Sequence, residues 1–454
     1  MKKIVVAVML MLVAFAGNSQ IQMLRYNDEF SHLKHDTVRK TGYEHLKQIP
    51  IGRNIRISFG GEVREQLQYY KNRNFGDAPA TSGDGSTTQL WQRVMAHTNV
   101  TIGGKLRVFA QVGSTYRYLN DGPLTPEIDE NKLSLHQAFA DYHFNGKWLI
   151  RAGRQEISYG SHRLITFREG PNTRLAFDAA IVRHSSEKRT IDFLAITPVT
   201  SRPGVFDDKS FEDFILGVYA TEHVVGSKLI VDAYVLNFKS DRRKYQKLSG
   251  DENRQSYGVR VFSKQQRFNY ELEATYQSGK FNDLTISAYS VSGDVNYAII
   301  PGCALTIGMG GNYVSGDRNK NDGQLNTYNL MFSKPQFGLT APIGASNIVD
   351  INPYVSVRPT KTTQLYLGAY RMWRQSVNDG TYSPLAILVR PIDNSEPVSE
   401  KEIGTQLTME SSWQVCKNLS LAIDAGYFAA GDCVKATGNG QDITYLSFKV
   451  GLKF

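Results

Sequence analysis

After residue 16 the sequence contains no apolar run approaching the roughly 20 residues that a membrane-crossing helix needs, which excludes a helical membrane protein. Cysteine is scarce: Cys303, Cys416 and Cys433 are an odd number, so at least one is free or pairs between chains. Cys416 sits at a tight turn (416 to 418) and Cys433 at the far end of the strand that follows, which disfavours a bridge between them. His97, His136, His143 and His162 have no metal-ligand spacing. The glycine-rich "GMGGNYVSG" (308 to 316) lies in an alternating strand context with no helix after it, so it is not a phosphate loop. Ser161 and His162 are adjacent rather than opposed and have no third partner. No metal, no cofactor and no enzymatic activity are expected.

What the sequence does contain begins at its ends. Residues 1–20, "MKKIVVAVMLMLVAFAGNSQ", join a basic start, an apolar run and small residues, and read as a secretory signal peptide. At the other end, "TYLSFKVGLKF" alternates without a fault, with Leu446, Phe448, Val450, Leu452 and Phe454 on one side. A period of 2 suits a strand with one face in lipid and one in water. Many outer-membrane barrel proteins end on such a strand, and that resemblance implies recognition of Phe454 by the barrel-assembly machinery.

Charged residues are 21% of the chain, Gly reaches 39, and Tyr (24) and Phe (22) are frequent. A barrel tolerates this polarity because only alternate strand residues face lipid. The formal charge of +9 includes Lys2 and Lys3, so the mature chain carries +9 minus 2, or +7. Export removes nucleic acid as a partner, leaving an acidic surface or an acidic solute.

Parity along the strands shows where the charge lies. In "IRISFGGEVREQLQY" Ile55, Ile57, Phe59, Val63, Leu67 and Tyr69 alternate with Arg56, Ser58, Glu62, Arg64, Gln66 and Gln68. "LWQRVMAHTNVTI" sets Val94 and Val100 against Arg93 and His97, and "KLRVFAQVGSTYRY" sets Val108 and Val112 against Arg107 and Arg117. Arginine belongs mainly to the water-facing side.

Tight turns at 103 to 105, 145 to 147, 265 to 267, near 301 to 302 and at 416 to 418 alternate with long polar connections. The long ones fall at 71 to 88, 119 to 132, 158 to 175, 199 to 211, 239 to 253, 315 to 346, 375 to 402 and 429 to 441. The fold class is therefore all-β: a transmembrane antiparallel β-barrel of about 18 strands, with short periplasmic turns and long extracellular loops. At ~4.8 Å strand spacing and ~40° tilt such a barrel is roughly 35 Å across, wide enough for an aqueous lumen. Residues 1–20 are the signal peptide, 21–53 a periplasmic or lumenal segment, and 54–454 the barrel.

The stretch "GRQEISYGSHRLITFREGPNTRLAFDAA" (153 to 180) departs from this pattern. The strand "KWLIRAG" points Arg151 inward, and the same parity sends Arg154 and Glu156 toward lipid, where an Arg at midplane costs ~2–4 kcal/mol. Either the strand bulges at Gly153 or it has already left the membrane. The loop beyond carries His162, Arg163, Arg168, Glu169 and Arg174, with Gly160, Gly170 and Pro171 to turn it back into the lumen.

This stretch resembles the central motif of the alginate export family of outer-membrane proteins, in the order GRQ, E, SYG, RL, R, PN, R and FD. "YNDEFSHL", "LKQIPIG" and "ISFGGEVRE" are similar to the family's opening motif, and "LHQAFADY" (135 to 142) and "GYFAAGD" (426 to 432) to further blocks. Gly170 stands where many members have a bulky aromatic. The resemblance implies an 18-stranded barrel in the outer membrane of a Gram-negative cell and an arginine-lined pore that passes a uronic-acid polymer.

The expected function is a channel that passes anionic solute passively, an acidic polysaccharide or its oligomers foremost. Arg64, Arg93, Arg107, Arg117, Arg151, Arg154, Arg163, Arg168 and Arg174 are the candidate pore contacts, since Arg pairs bidentately with carboxylates. Glu62, Asp141, Glu156, Glu169 and Asp178 are their counter-charges, which keep the anion from being trapped. The alternative is a general or small-organic-anion porin whose arginines brace the wall. Outer-membrane lipid and lipopolysaccharide surround such a barrel, and periplasmic export partners are compatible with it.

Overall fold

The computed structural model describes residues 21–34, 40, 42–77, 85–119, 129–224, 226, 228–263, 265, 267–300, 305–334, 337–338, 340, 342–392 and 398–454. Residues 1–20, expected to be a signal peptide, the turn near 301 to 302 and Cys303 lie outside them. No helix among the described residues is long and apolar enough to cross a membrane.

The chain closes into an antiparallel barrel of 18 strands. They are β1 (Ile55–Lys71), β2 (Ser86–Ile102), β3 (Leu106–Tyr118), β4 (Asn131–His143), β5 (Trp148–Gln155) and β6 (Phe177–Ser185). β7 (Arg189–Pro198), β8 (Asp213–His223), β9 (Leu229–Tyr245), β10 (Leu248–Ser263), β11 (Phe268–Phe281) and β12 (Leu284–Ile300) follow. β13 (Leu305–Val314), β14 (Ile348–Thr360), β15 (Thr363–Arg374), β16 (Glu402–Gln414), β17 (Leu419–Ala430) and β18 (Ile443–Lys453) complete the wall. Each strand pairs with its sequence neighbour, and β1 pairs with β18 from Glu62↔Lys453 to Lys71↔Thr444. Closure leaves no bare edge, which a wall facing lipid requires because hydrocarbon offers its N–H and C=O groups no partner.

The alternation read from the sequence is the alternation of the wall. Phe59, Leu67, Val94, Val108, Val112, Leu272 and Phe448 are exposed on the outside, while Glu62, Arg64, Gln66, Arg93, Gln111 and Arg117 are buried on the inside. Cys416 and Cys433 are both free.

Two connections differ from expectation. Residues 239 to 253 are not a loop: β9 and β10 pair through Lys239↔Asn253, Ser240↔Glu252 and Tyr245↔Leu248, with a bulge between Ser240 and Arg243. Their polar composition reflects a hairpin whose outer face, with Lys239, Asp241, Asp251 and Asn253, is exposed, while Tyr245 and Glu252 are buried on the inner one. β11 and β12 are likewise joined by only two residues at Asn282 and Asp283.

The wall is uneven. β1 and β2 have 17 residues each, β5 only 8 and β6 only 9. Past the end of β5 the edge of β4 would be bare, and the connection from β7 to β8 covers it. Phe206 donates its N–H to Leu133 O (2.9 Å), while Lys132 and Leu133 donate to Pro203 O and Gly204 O (3.4 Å each). The low wall lets residues 156–176 leave the sheet and turn inward.

Candidate functional site

The inward loop is held in shape by its own turns. Gly160, His162 and Arg168 take positive φ, His162 N–H donates to Tyr159 O (3.1 Å), and Leu175 N–H donates to Phe167 O (2.7 Å). Across the lumen it meets residues 326–334 of the connection between β13 and β14. Thr166 N–H donates to Phe332 O (3.1 Å), Phe332 N–H to Leu164 O (2.8 Å), and Lys334 N–H to His162 O (3.0 Å). Around this seam Ile157, Leu164, Ile165, Tyr328, Met331 and Phe332 pack against inward side chains of the wall such as Phe177, Leu194, Ile215 and Phe238. Fully burying one such side chain contributes about 1.5–3 kcal/mol. An apolar core thus fills part of the lumen that parity alone had left to water.

Below this core lies an ionic cluster. Glu169, at the loop's tip, accepts from Arg93 Nη2 (2.6 Å) and from Arg174 Nε, and stands 3.8 Å from Arg64 Nη1. Arg174, 1% exposed, also reaches Glu62 (3.2 Å) and Glu156 (3.4 Å). Arg93 pairs with Glu62 (2.9 Å), and His136 Nε2 lies 2.8 Å from Glu156. Arg64 also donates to Glu169 O and Pro171 O (3.0 Å each). These carbonyls lie at a turn and lack partners in any sheet, so the wall arginines cap the loop as well as balance it. Asn172 Nδ2 fastens the same turn to Gln92 O, Tyr116 O and Asp129 O at 2.9–3.2 Å. Burial alone would raise the Glu169 carboxyl, but Arg174, Arg93 and Arg64 hold it well below the usual carboxylate range. Burial works against the Arg174 guanidinium too, and Glu169, Glu62 and Glu156 keep it charged.

A second cluster centres on Asp141, which is fully buried. Arg107 donates to it, and Arg151 donates through Nε (2.6 Å) and Nη2 (3.1 Å). Tyr26 caps the pair from the N-terminal segment: its ring lies 4.4 Å from the Arg151 guanidinium and packs edge-on to Phe139 (5.2 Å) and Phe109 (6.1 Å). Its hydroxyl donates to Glu156 O (2.9 Å). The neighbouring Arg25 donates to Gly61 O and Phe454 O (2.8 Å each). Residues 21–34 therefore touch the inner wall, the inward loop and the chain's last residue together. That role was not visible in the sequence, where Arg25 and Tyr26 are only part of a charged and aromatic mixture.

The remaining candidates separate. Arg117 pairs with Asp129 (3.4 Å). Arg163 crosses to the opposite wall, donating to Asn312 Oδ1 (2.5 Å) and standing 4.0 Å from Glu273, with 21% of its side chain exposed. Arg168 donates to Ser333 O (2.8 Å) and is half-buried. Arg154 stands apart from all of these, on the outer face. β5 runs in unbroken register from Trp148↔His184 to Gln155↔Phe177, so there is no bulge at Gly153, and Arg154 faces Asp178. Gly153 is instead a point of close approach, at φ +125° with Ala138 O 2.3 Å from where a Cβ would sit.

Counted on the inner faces of β18 and β1 to β5, Lys449, Lys453, Arg56, Arg64, Arg93, Arg107, Arg117 and Arg151 oppose only Glu62 and Asp141, eight cations to two carboxylates. The loops bring Asp129, Glu156 and Glu169 together with Arg174, which offsets only part of this excess of six, and Asp424 on β17 pairs with Lys449 (2.7 Å). The opposite wall, β11 to β17, keeps half-exposed inward residues of mixed character, among them Glu271, Asp294, Asn296, Tyr354, Tyr366 and Glu410.

The sequence profile of a family described as Alginate export matches residues 55–446. Among curated proteins none matches the chain in sequence. In fold it is similar to Pseudomonas aeruginosa OpdO (TM-score 0.60, 10% identity, 91% of this chain and 99% of that one). It is similar as well to the outer membrane protein OpdK of the same species (0.61, 10%, 87% and 99%) and to Acinetobacter baumannii OccAB1 (0.57, 10%, 87% and 97%).

Proposed function

Since the chain belongs to the alginate export family and forms an outer-membrane barrel channel, we propose that it passes anionic solutes passively, acidic saccharide chains of the uronate type or their oligomers foremost. The observation that carries this reading is the cation excess on the inner faces of β18 and β1 to β5, eight against two. A polyuronate presents about one carboxylate per sugar, and staggered guanidinium groups can take each in turn. Arg163 and Arg168, on the loop and only half-buried, are in this reading the contacts for a passing carboxylate. Arg107 and Arg151 share a single carboxylate and leave a net positive charge beside them. Arg64, Arg93 and Arg174 set the field while fastening the loop.

A second reading is favoured by the core that fills part of the lumen: a channel for small organic anions, whose arginines chiefly brace the wall. OpdK, of similar fold, has been crystallised with vanillate, and a narrow passage suits such a solute.

The deciding measurement is single-channel current in a planar bilayer, with reversal potential in a salt gradient, while uronic-acid oligomers of increasing length are added. Anion selectivity with blocks that lengthen with the oligomer supports the saccharide reading. Selectivity with block by monomeric carboxylates alone supports the second. A large, weakly selective conductance indifferent to both overturns the two together.

A further inference from the structure

The inner wall opposite the arginines carries two half-exposed tyrosines that lie flat on it. Tyr354 on β14 and Tyr366 on β15 both point inward, and their ring centroids lie 5.3 Å apart at 33°. Neither ring projects into the lumen. A Cβ on Gly308, the register partner of Tyr354 on β13, would lie 2.2 Å from its Cζ. A Cβ on Gly368 would lie 2.8 Å from Cε1 of Tyr366 and 2.6 Å from its hydroxyl. Each ring therefore lies over a glycine with one face against the backbone. Both residues remain half-exposed, so the other face borders the lumen. The hydroxyls are held at the edge of this platform: Tyr354 donates to Asp294 (3.0 Å), and Tyr366 to Asn352 (3.3 Å).

Tyr234 takes the same posture over its register partner Gly258, but it is 5% exposed beneath the inward loop, whereas Tyr354 and Tyr366 stay half-exposed. Here small residues on the facing and same strands make room for two rings to lie flat beside polar side chains. A flat aromatic face ringed by hydrogen-bonding groups suits the apolar face of a pyranose, whose axial C–H groups meet the ring while its equatorial hydroxyls reach the rim. A small carboxylate needs no such platform.

We propose that Tyr354 and Tyr366 form a saccharide-stacking subsite, which a sugar ring crosses while its carboxylate, if it has one, is drawn by the arginines opposite. The assignment rests on the reading of this protein as a saccharide channel and narrows it: the ligand is recognised through its ring as well as through its charge.

The test uses the full-length barrel in a planar bilayer, with hexamers of a uronic acid and of neutral glucose as separate probes. Two double variants are compared, Y354L/Y366L, which removes the aromatic faces, and Y354F/Y366F, which keeps them. The dissociation constants of both hexamers are expected to rise about tenfold in the leucine variant, since a stacked aromatic contributes about 1.4 kcal/mol and that is a factor of ten. The phenylalanine variant should stay within about threefold of the parent, the effect expected of an exposed hydrogen bond, and reversal potentials should not move in either. Equal hexamer affinity in the parent and the leucine variant overturns the subsite, as does a failure of both hexamers to block the parent. Block by neutral but not acidic hexamers, lost in the leucine variant, keeps the subsite and removes the uronate reading above it. A leucine variant that fails to refold passes the decision to G308A, whose added methyl lifts Tyr354 from the wall. Unchanged block by both hexamers there overturns the subsite, and weakened block supports it.

Discussion

Arg154 and Asp178 face each other across β5 and β6 on the outer surface of the barrel, joined by two hydrogen bonds of 2.8 and 2.9 Å. Each partner keeps about a fifth of its side chain accessible, 21% and 23%. An arginine on a lipid-facing surface is tolerated here because a carboxylate stands at its own height in register. Asp178→Ala leaves that charge only the more distant Asp208 of the β7–β8 connection and should destabilise the barrel by at most roughly 2–4 kcal/mol. Adding Arg154→Leu to the same chain should recover most of the loss, because both polar groups are then gone. Urea unfolding in detergent or lipid compares the two variants. A double variant no better than the single one would show that the pair holds β5 to β6 rather than neutralising a charge.

Glu169 organises the inward loop, and its removal should be felt twice. Glu169→Gln leaves Arg93 and Arg174 short of a counter-charge, and breaking a buried pair costs 3–5 kcal/mol. Since 35% of its side chain is accessible, the expected loss is reduced to about 2–3 kcal/mol. The loop should also detach from the wall, so single-channel conductance should rise and become noisier. Loss of stability with an unchanged conductance trace would mean that the seam with residues 326–334 holds the loop without the cluster.

Arg163 and Arg168 can be tested with less collateral damage, because neither is fully buried, each donates to a neutral oxygen, Asn312 Oδ1 and Ser333 O, and Glu273, 4.0 Å from Arg163, keeps the hydroxyls of Tyr234 and Ser161. Arg163→Gln with Arg168→Gln should lower anion selectivity, read as a shift of reversal potential toward zero, while costing at most about 2 kcal/mol of stability. An unmoved reversal potential would assign both residues to fastening the loop.

The physics that made the fold readable also explains what was not. Strand parity reports which side of the wall a residue faces, and lipid enforces it at almost every position, so Phe59, Leu67 and Arg64 could be placed from sequence. Parity says nothing about what fills the lumen. Ile157, Leu164 and Phe332 lie in loops where no period exists, and their burial depends on two connections far apart in sequence meeting at Ile165 and Phe332. Parity sends Arg154 to the outer side, where it stands, so its place among the pore contacts is the reading that fails; the sequence offers a bulge or an exit from the membrane instead, because its partner there, Asp178, is defined only by the register. The candidate arginines were legible as inward charge, but whether each was spare or spent depended on loop carboxylates such as Glu169, whose reach only the fold defines.

The N-terminal segment gives a further prediction. Tyr26 and Arg25 are its anchors, the first among Phe109, Phe139 and Arg151, the second on Gly61 O and Phe454 O. Truncating a buried aromatic costs ~3–5 kcal/mol, a large share of what holds a short segment whose other buried apolar side chains are Phe30 and Leu33. Arg25→Ala with Tyr26→Ala should therefore free residues 21–34 from the lumen, raise conductance, and expose the segment to added protease while the barrel itself stays folded. Protection from protease equal to that of the parent would place the anchoring elsewhere, with Lys47 and its hydrogen bond to Phe59 O (2.6 Å) the next candidate.

Acid should loosen the inward loop, and His162 sets where this begins. Burial, with Lys334 and Arg260 nearby, lowers its imidazole to about 4, and its Nδ1 lies 2.6 Å from Ser158 Oγ. In a detached loop the ring returns to ~6.5. The detached state thus takes up a proton between these values and the docked state does not, so docking is at full strength above pH ~6.5 and weakens as pH falls toward 4. Glu169, held low by its arginines, adds a loss of the same sign only below the ordinary carboxylate value of ~4.3. Open-channel noise measured from pH 7.5 to 3.5 should rise in two stages. His162→Gln should abolish the first and leave the second. A single rise confined to pH below 4.3 in the parent would show that the ring stays neutral in both states and that the cluster around Glu169 alone governs the loop.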